Sequence, residues 1–198
     1  MIDWLEAIDR NIVLTINSWN SPLMDDIMWT FSASITWIPL YLFLIYLGFK
    51  KLGWKKTLLF IGSVLLAVGC TDFICSGIIK ETVQRYRPSH NLLLTNSLHF
   101  FQFEDGSYYK GGQYGFVSSH AGNFFTIAWT AGWILQAHYK RLLPTLLILA
   151  TIISYSRIYL GVHYLSDIIG GFLVGTTVAI LVYRYFYLKF EKRITDEN

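Results

Sequence analysis

The residues able to do chemistry fall in three clusters. Lys80 is followed seven positions on by Arg87 and then Pro88; Ser118 and Ser119 lead into His120; Ser156 and Arg157 are followed by His163 and Asp167. Seven residues make two helical turns, so Lys80 and Arg87 share a face if their helix runs to Pro88. His163 and Asp167, four apart, are neighbours on one helix face. Ser118 stands where a helix N-cap would be, which aims the first backbone N–H groups of the following helix at a bound anion. Three cations, two histidines and a carboxylate form a site for an anion with acid–base chemistry beside it.

Each of these residues also has a plainer reading. Taken singly, Lys80, Arg85, Arg87 or Arg157 is better read as an interfacial side chain snorkelling to headgroups. Taken jointly, that leaves His120, His163 and Asp167 without a purpose. The two histidines and the carboxylate are metal-ligand types, but the surrounding cations would repel a divalent ion, so no metal is expected. His90, His99 and His138 have no such company and read as loop residues. Asp72 reads as a paired or hydrogen-bonded core group, and Arg85 as a solvated loop residue or a spare phosphate contact.

The elements that must position these groups are membrane helices. The chain of 198 residues is 54% hydrophobic and only 15% charged, where a soluble domain carries about 25% charge. Five stretches approach the roughly 20 apolar residues of a crossing: about Ile27–Phe49, Thr57–Ile79, Ser119–Ala137, Leu142–Leu160 and Tyr164–Leu188. Their length and lack of alternation exclude strands. Ahead of them Ile2, Leu5, Ile8, Ile12, Ile16 and Trp19 recur at helical spacing, while Asp3, Glu6, Asp9 and Arg10 make a crossing costly. Within the N-terminal segment 1–26 the first twenty residues therefore read as an amphipathic helix in the interface, with a sixth span as the rival, and Ser21-Pro22 and Asp25-Asp26 read as a turn before the first span. The expected fold is all-α: a polytopic membrane helix bundle of five transmembrane helices plus that N-terminal element, in one domain over 1–198. Gly171 and Gly175 form a small-residue pair suited to close packing within the bundle.

Basic residues mark the cytoplasmic side of short loops. Lys50, Lys51, Lys55 and Lys56, then Lys140 and Arg141, then Arg184, Lys189, Lys192 and Arg193 all fall on one side by alternation. The long aromatic loop 80–118, and with it every candidate site residue, then faces outward, and the tail 189–198 is cytoplasmic. The N-terminal segment, with a net −4 from Asp3, Glu6, Asp9, Asp25 and Asp26 against Arg10, also falls outside. The modest net charge of +3 gives no case for nucleic acid. Cys70 and Cys75 point in different directions on one helix, which disfavours a disulfide. The opening residues lack a basic region, so no cleavable signal peptide is expected.

The same residues carry a family resemblance. Lys80-x6-Arg87-Pro88, Ser118-x-His120 and Ser156-Arg157-x5-His163-x3-Asp167 resemble the three motifs of the type 2 phosphatidic acid phosphatase (PAP2) superfamily, in order and in spacing. From the chain's own composition, Lys-x6-Arg-Pro alone is expected by chance only about 0.006 times. One departure is Ser119, where the family usually has glycine. The resemblance implies a membrane phosphatase of lipid phosphates or diphosphates, such as undecaprenyl diphosphate, phosphatidylglycerol phosphate, phosphatidic acid or lipid A phosphates. It implies that His163 attacks phosphorus to give a phosphohistidine, with Asp167 orienting its ring and His120 as acid and then base. Lys80, Arg87, Ser118, Ser119 and Arg157 would cradle the phosphate without any cofactor. Two alternatives stay open: a phosphotransferase using the same intermediate, and a lipid or anion transporter whose cations only bind. The sequence leaves the oligomeric state open; the partners it implies are the lipid phosphate and the bilayer, in the inner membrane.

Overall fold

The structure, a computed structural model, describes residues 2–196. The elements are α1 (Ile2–Asn17), α2 (Pro22–Ser32), α3 (Ile38–Asp72), the short α4 (Lys80–Val83), α5 (Ser119–Leu135), α6 (Leu142–Tyr159), α7 (Leu165–Leu181) and α8 (Leu188–Asp196). Wider π-type turns at Phe73–Ile79 and Val182–Tyr187 join α3 to α4 and α7 to α8. Among the described residues three continuous helical stretches can cross a membrane by length and composition: Ser34–Val83, Leu142–Tyr159 and Leu165–Asp196. The first is folded in two. Gly53 has φ 75°, a left-handed turn that glycine allows at no steric cost. A Cβ on Gly48 would touch Thr57 at 3.1 Å and Phe60 at 3.3 Å; along an unbroken helix Gly48 and Thr57 would stand about 13 Å apart. The two legs are therefore an antiparallel hairpin. α5, at 17 residues, is the innermost helix: Ala121, Phe124, Phe125, Ala128, Ala131, Ile134 and Leu135 are all buried.

The outer helices turn apolar side chains outward. Leu42, Phe43, Leu58, Leu65, Ile148, Leu173 and Ile180 are exposed, an arrangement stable where the solvent is hydrocarbon. At one end Lys56 pairs with Glu191 at 3.4 Å, and Trp133 of α5 meets Tyr183 at 5.4 Å. The basic hairpin turn, the α5–α6 connection and the tail thus share an end. The long loop and the motif residues occupy the other.

Two expectations change in the N-terminal region. Asp25 and Asp26 lie within α2 rather than in a turn, and the span expected from about Ile27 begins later, because α2 ends at Ser32. Ala33 is extended, a short 3-10 turn covers Ser34–Trp37, and Pro39 sits in the first turn of α3. α1 does not simply rest its apolar stripe on a membrane either. Among its described side chains Asp9, Val13 and Asn17 are buried, while Trp4 and Leu5, and Trp19 just beyond its end, are exposed. Asp9 accepts from Ser166 N at the start of α7 at 3.0 Å, and Asn17 donates to the Tyr159 carbonyl at the end of α6 at 2.8 Å. Eight residues cover about 12 Å of helix, close to the spacing of packed neighbours. α1 therefore lies across the ends of α6 and α7, over the motif end of the bundle.

Candidate active site

Close packing of α5 against α7 brings the motifs together. A Cβ on Gly171 would sit 2.3 Å from the Ser118 carbonyl, and one on Gly175 would sit 2.3 Å from the Gly122 carbonyl. Only glycine permits this approach, so the pair acts within the bundle as its spacing predicts. Ser118 N donates to the Asp167 carbonyl at 2.9 Å, binding the two helix starts to each other. Ser118 is fully buried and its hydroxyl caps α5 by accepting from Ala121 N at 3.3 Å. The cap role expected of Ser118 holds, and its hydroxyl is turned into the helix.

The loop 80–118 is held by Arg87. Its backbone N–H donates to Gln113, its Nε donates to the Tyr114 carbonyl at 3.0 Å, and Nη1 reaches the Val162 carbonyl at 3.3 Å. Gly111, at φ 65°, passes so close that a Cβ would lie 2.9 Å from Arg87 Nη1. Ser89 donates to the Lys110 carbonyl, and Trp29 of α2 stacks on Phe101 at 4.8 Å and meets Tyr109 edge-on at 4.9 Å. The aromatic richness of the loop is thus largely a seam to α2. His99 is more than a loop residue: it meets Asp25 at 2.8 Å, and Tyr159 donates to the same carboxylate.

His163 lies at the centre, 1% exposed. Its Nδ1 is 3.2 Å from Asp167 Oδ2 and its Nε2 is 3.0 Å from Arg87 Nη1. A guanidinium can only donate, so Nε2 must hold the lone pair and Nδ1 the proton, which points at the carboxylate. Burial, with Arg87, Arg157 and Lys80 nearby, holds the His163 imidazole well below its usual range and hence neutral. Arg87 is pushed down to about 10 by burial and by Arg157, and stays a cation at neutral pH. Lys80 reaches Ser119 Oγ at 3.5 Å. Arg157 donates to Ser32 and, at 2.7 Å, to Tyr109, while its buried Nε has no partner. His120 Nε2 is likewise buried without a partner, the ring lying 5.1 Å from Phe124. Among the described residues no three His, Cys, Asp or Glu side chains gather as a metal site would require.

From His120 an apolar groove of about 330 Å³ runs between the legs of α3 and α5, lined by Tyr41, Leu44, Phe60, Val64, Val68 and Phe124 among others. No local pattern marks Tyr109 or Ser32 as partners of Arg157, or Asp9 as a site neighbour. Arg85 is neither solvated nor a spare anion contact: it pairs with Asp9 at 2.8 Å and with Asp167 at 3.2 Å. Asp72 accepts from Asn123 at 3.2 Å but is exposed rather than part of the core.

Known proteins match this arrangement over most of the chain. The model of the PAP2 superfamily matches residues 56–191. A lipid A 4'-phosphatase from Porphyromonas gingivalis is 33% identical over 190 residues, covering 95% of this chain and 77% of that protein. One from Bacteroides thetaiotaomicron is 32% identical, covering 88% and 75%. The crystal structure of a transmembrane PAP2-type phosphatidylglycerolphosphate phosphatase from Bacillus subtilis superposes with a TM-score of 0.69 at 22% identity, over 96% of this chain and 87% of that one.

Proposed function

Since the chain belongs to the PAP2 superfamily, we propose that it is a membrane lipid phosphatase whose His163 carries the phosphoryl group between substrate and water. The observation that carries this is the pair of bonds on the His163 ring. They fix a neutral imidazole with its lone pair on Nε2, the form a nucleophile needs. Arg87, Arg157 and Lys80 would take the phosphate oxygens, with Ser119 and the first amides of α5 aimed by the Ser118 cap. His163 Nε2 then attacks phosphorus, the bond to the lipid oxygen breaks, and His120 supplies the proton that oxygen needs. In the second step His120 takes a proton from water, the hydroxide displaces His163, and phosphate leaves. The spread of charge over the cradle is the main stabilisation a phosphoryl transition state requires.

The groove beside His120 suits a lipid tail, since it joins apolar walls to the polar site. The lipid A 4'-phosphatases make phosphate monoesters of lipid A the first substrates to try. Purified protein in detergent with EDTA should release phosphate from lipid A, tested beside phosphatidylglycerol phosphate, phosphatidic acid and undecaprenyl diphosphate. It should also form an acid-labile phosphoprotein that His163→Ala abolishes. No release from any of these lipids would sink the proposal.

We further place five crossings and the site at the outer face of the inner membrane, with the C-terminus in the cytoplasm, because the lysine- and arginine-rich end lies opposite the site. Leu92 is 88% exposed in the long loop. A cysteine there, in a variant without Cys70 and Cys75, should react with an impermeant maleimide in cells whose outer membrane is permeabilised. Reaction only after the inner membrane is broken would reverse the topology.

A further inference from the structure

Asp167 is fully buried, and its two oxygens are held by different groups. Oδ2 faces His163 Nδ1 and accepts from Tyr164 N at 3.0 Å, whereas Oδ1 accepts from Arg85 Nη1 at 3.2 Å. The same Nη1 donates to Ser166 Oγ at 2.6 Å, and Nη2 donates to Asp9 Oδ2 at 2.8 Å. The guanidinium lies flat enough over Tyr164 to put its carbon 4.0 Å from the ring centroid. Asp9 completes the set by accepting from both the N–H and the hydroxyl of Ser166. These bonds run to Asp167, behind the imidazole, and Asp9 belongs to α1.

We propose that Arg85 is a positioning residue for the Asp167–His163 pair and that Asp9 anchors it, so that docking of α1 sets the geometry of the catalytic site. The proposal rests on the reading in which His163 attacks phosphorus. A buried carboxylate held at only one oxygen can swing about its χ2 and lose its grip on Nδ1. Holding the second oxygen removes that freedom, and the cation offsets the burial of the negative charge. A planar fork can bridge Asp9 and Asp167 at once, which a lysine's single ammonium does poorly. The partners lie 76 and 82 positions from Arg85, so the contact exists only once α1 lies across α7. The N-terminal helix thereby supplies part of the rear wall of the site.

The test compares Arg85→Met, Arg85→Lys, Asp9→Asn and the Asp9→Asn/Arg85→Met double variant in detergent, with an aryl phosphate as substrate and His163→Ala in parallel. Asp9→Asn can still accept from Ser166 N, so α1 stays docked while the ionic anchor is lost. Arg85→Met should lower kcat about tenfold to a hundredfold, the worth of a charge-assisted hydrogen bond. KM and vanadate inhibition should stay within about twofold, because the phosphate cradle is untouched. Arg85→Lys should recover part of the loss, Asp9→Asn should fall between, and the double variant should be no worse than Arg85→Met. Unchanged kcat in Arg85→Met, or weakened vanadate inhibition with kcat intact, would overturn the proposal. Additive losses in the double variant would refute the anchoring by Asp9. If His163→Ala keeps its activity, the phosphohistidine reading fails and this proposal with it. If His163→Ala is inactive and Arg85→Met is normal, this proposal fails alone.

Discussion

Replacing Gly171 by alanine perturbs the contact that brings the starts of α5 and α7 together. The new methyl would lie 2.3 Å from the Ser118 carbonyl and 3.1 Å from Gly122 N. Carbon and oxygen tolerate roughly 3.3 Å, so the backbones must part by about 1 Å. Gly171 is one helical turn beyond Asp167, and the displaced carbonyl belongs to the residue that caps α5 two positions before His120. A misplacement of this size costs about a hundredfold in rate where geometry governs catalysis. Overpacking itself costs about 1–3 kcal/mol of stability. Gly175→Ala is the internal control. Its methyl would meet the Gly122 carbonyl at the same 2.3 Å and Thr126 Oγ1 at 2.9 Å, but about 6 Å further from the site along the helix. Thermal unfolding in detergent should show similar losses for both variants. Initial rates on an aryl phosphate should fall about a hundredfold for Gly171→Ala and less than about tenfold for Gly175→Ala. Equal rate losses, or near-normal turnover in a folded Gly171→Ala, would refute the reasoning.

Three further outcomes are expected. Arg87→Lys should lose about a hundredfold in kcat/KM while still folding, since a lysine cannot hold the Tyr114 carbonyl and grip two phosphate oxygens at once; steady-state kinetics on a purified, monodisperse variant decide it. Turnover should survive EDTA and be blocked by vanadate, a mimic of five-coordinate phosphorus, because the cations supply the charge a metal would; activity lost in EDTA and restored by Mg²⁺ would contradict this. His120→Ala should give a burst of aryl alcohol and then stall with phosphate on His163, whereas His163→Ala should give no burst; a burst in the second variant would exchange the two roles. The lipid reaction of His120→Ala should fall about 10² to 10⁴-fold.

Much of the site was legible because its residues are expensive where they stand. Cations, histidines and a carboxylate at the ends of apolar spans need a joint reason, and Lys80, Arg87, Arg157, His120, His163 and Asp167 lie near one another in space. The Gly171–Gly175 seam was legible from its spacing. The N-terminal helix was legible as a helix, but the face it buries was not, for a physical reason. Amphipathic periodicity assumes that polar residues face water, yet in α1 Asp9 and Asn17 are the buried ones, because they bond Ser166, Arg85 and the backbone carbonyls of His99 and Tyr159. The break at Ala33 is invisible to hydropathy, and the usable sign was Pro39, at home only in the first turn of a helix. Arg85 could not be placed at all, since its partners are set by how α1 crosses α7 and not by any local pattern.

The bond from Arg87 to His163 Nε2 has a consequence for selectivity. In the proposed mechanism the lone pair on that nitrogen must reach phosphorus, and the guanidinium sheathes it at rest. Phosphate oxygens are better acceptors for the same N–H groups. An arriving phosphate therefore draws the guanidinium onto itself and bares the nitrogen at the moment a proper target is beside it. An uncharged electrophile diffusing in from the bilayer offers the arginine nothing and meets a covered atom. On the proposed mechanism the site would thereby sort phosphorylated lipids from uncharged ones before any bond to phosphorus begins to form.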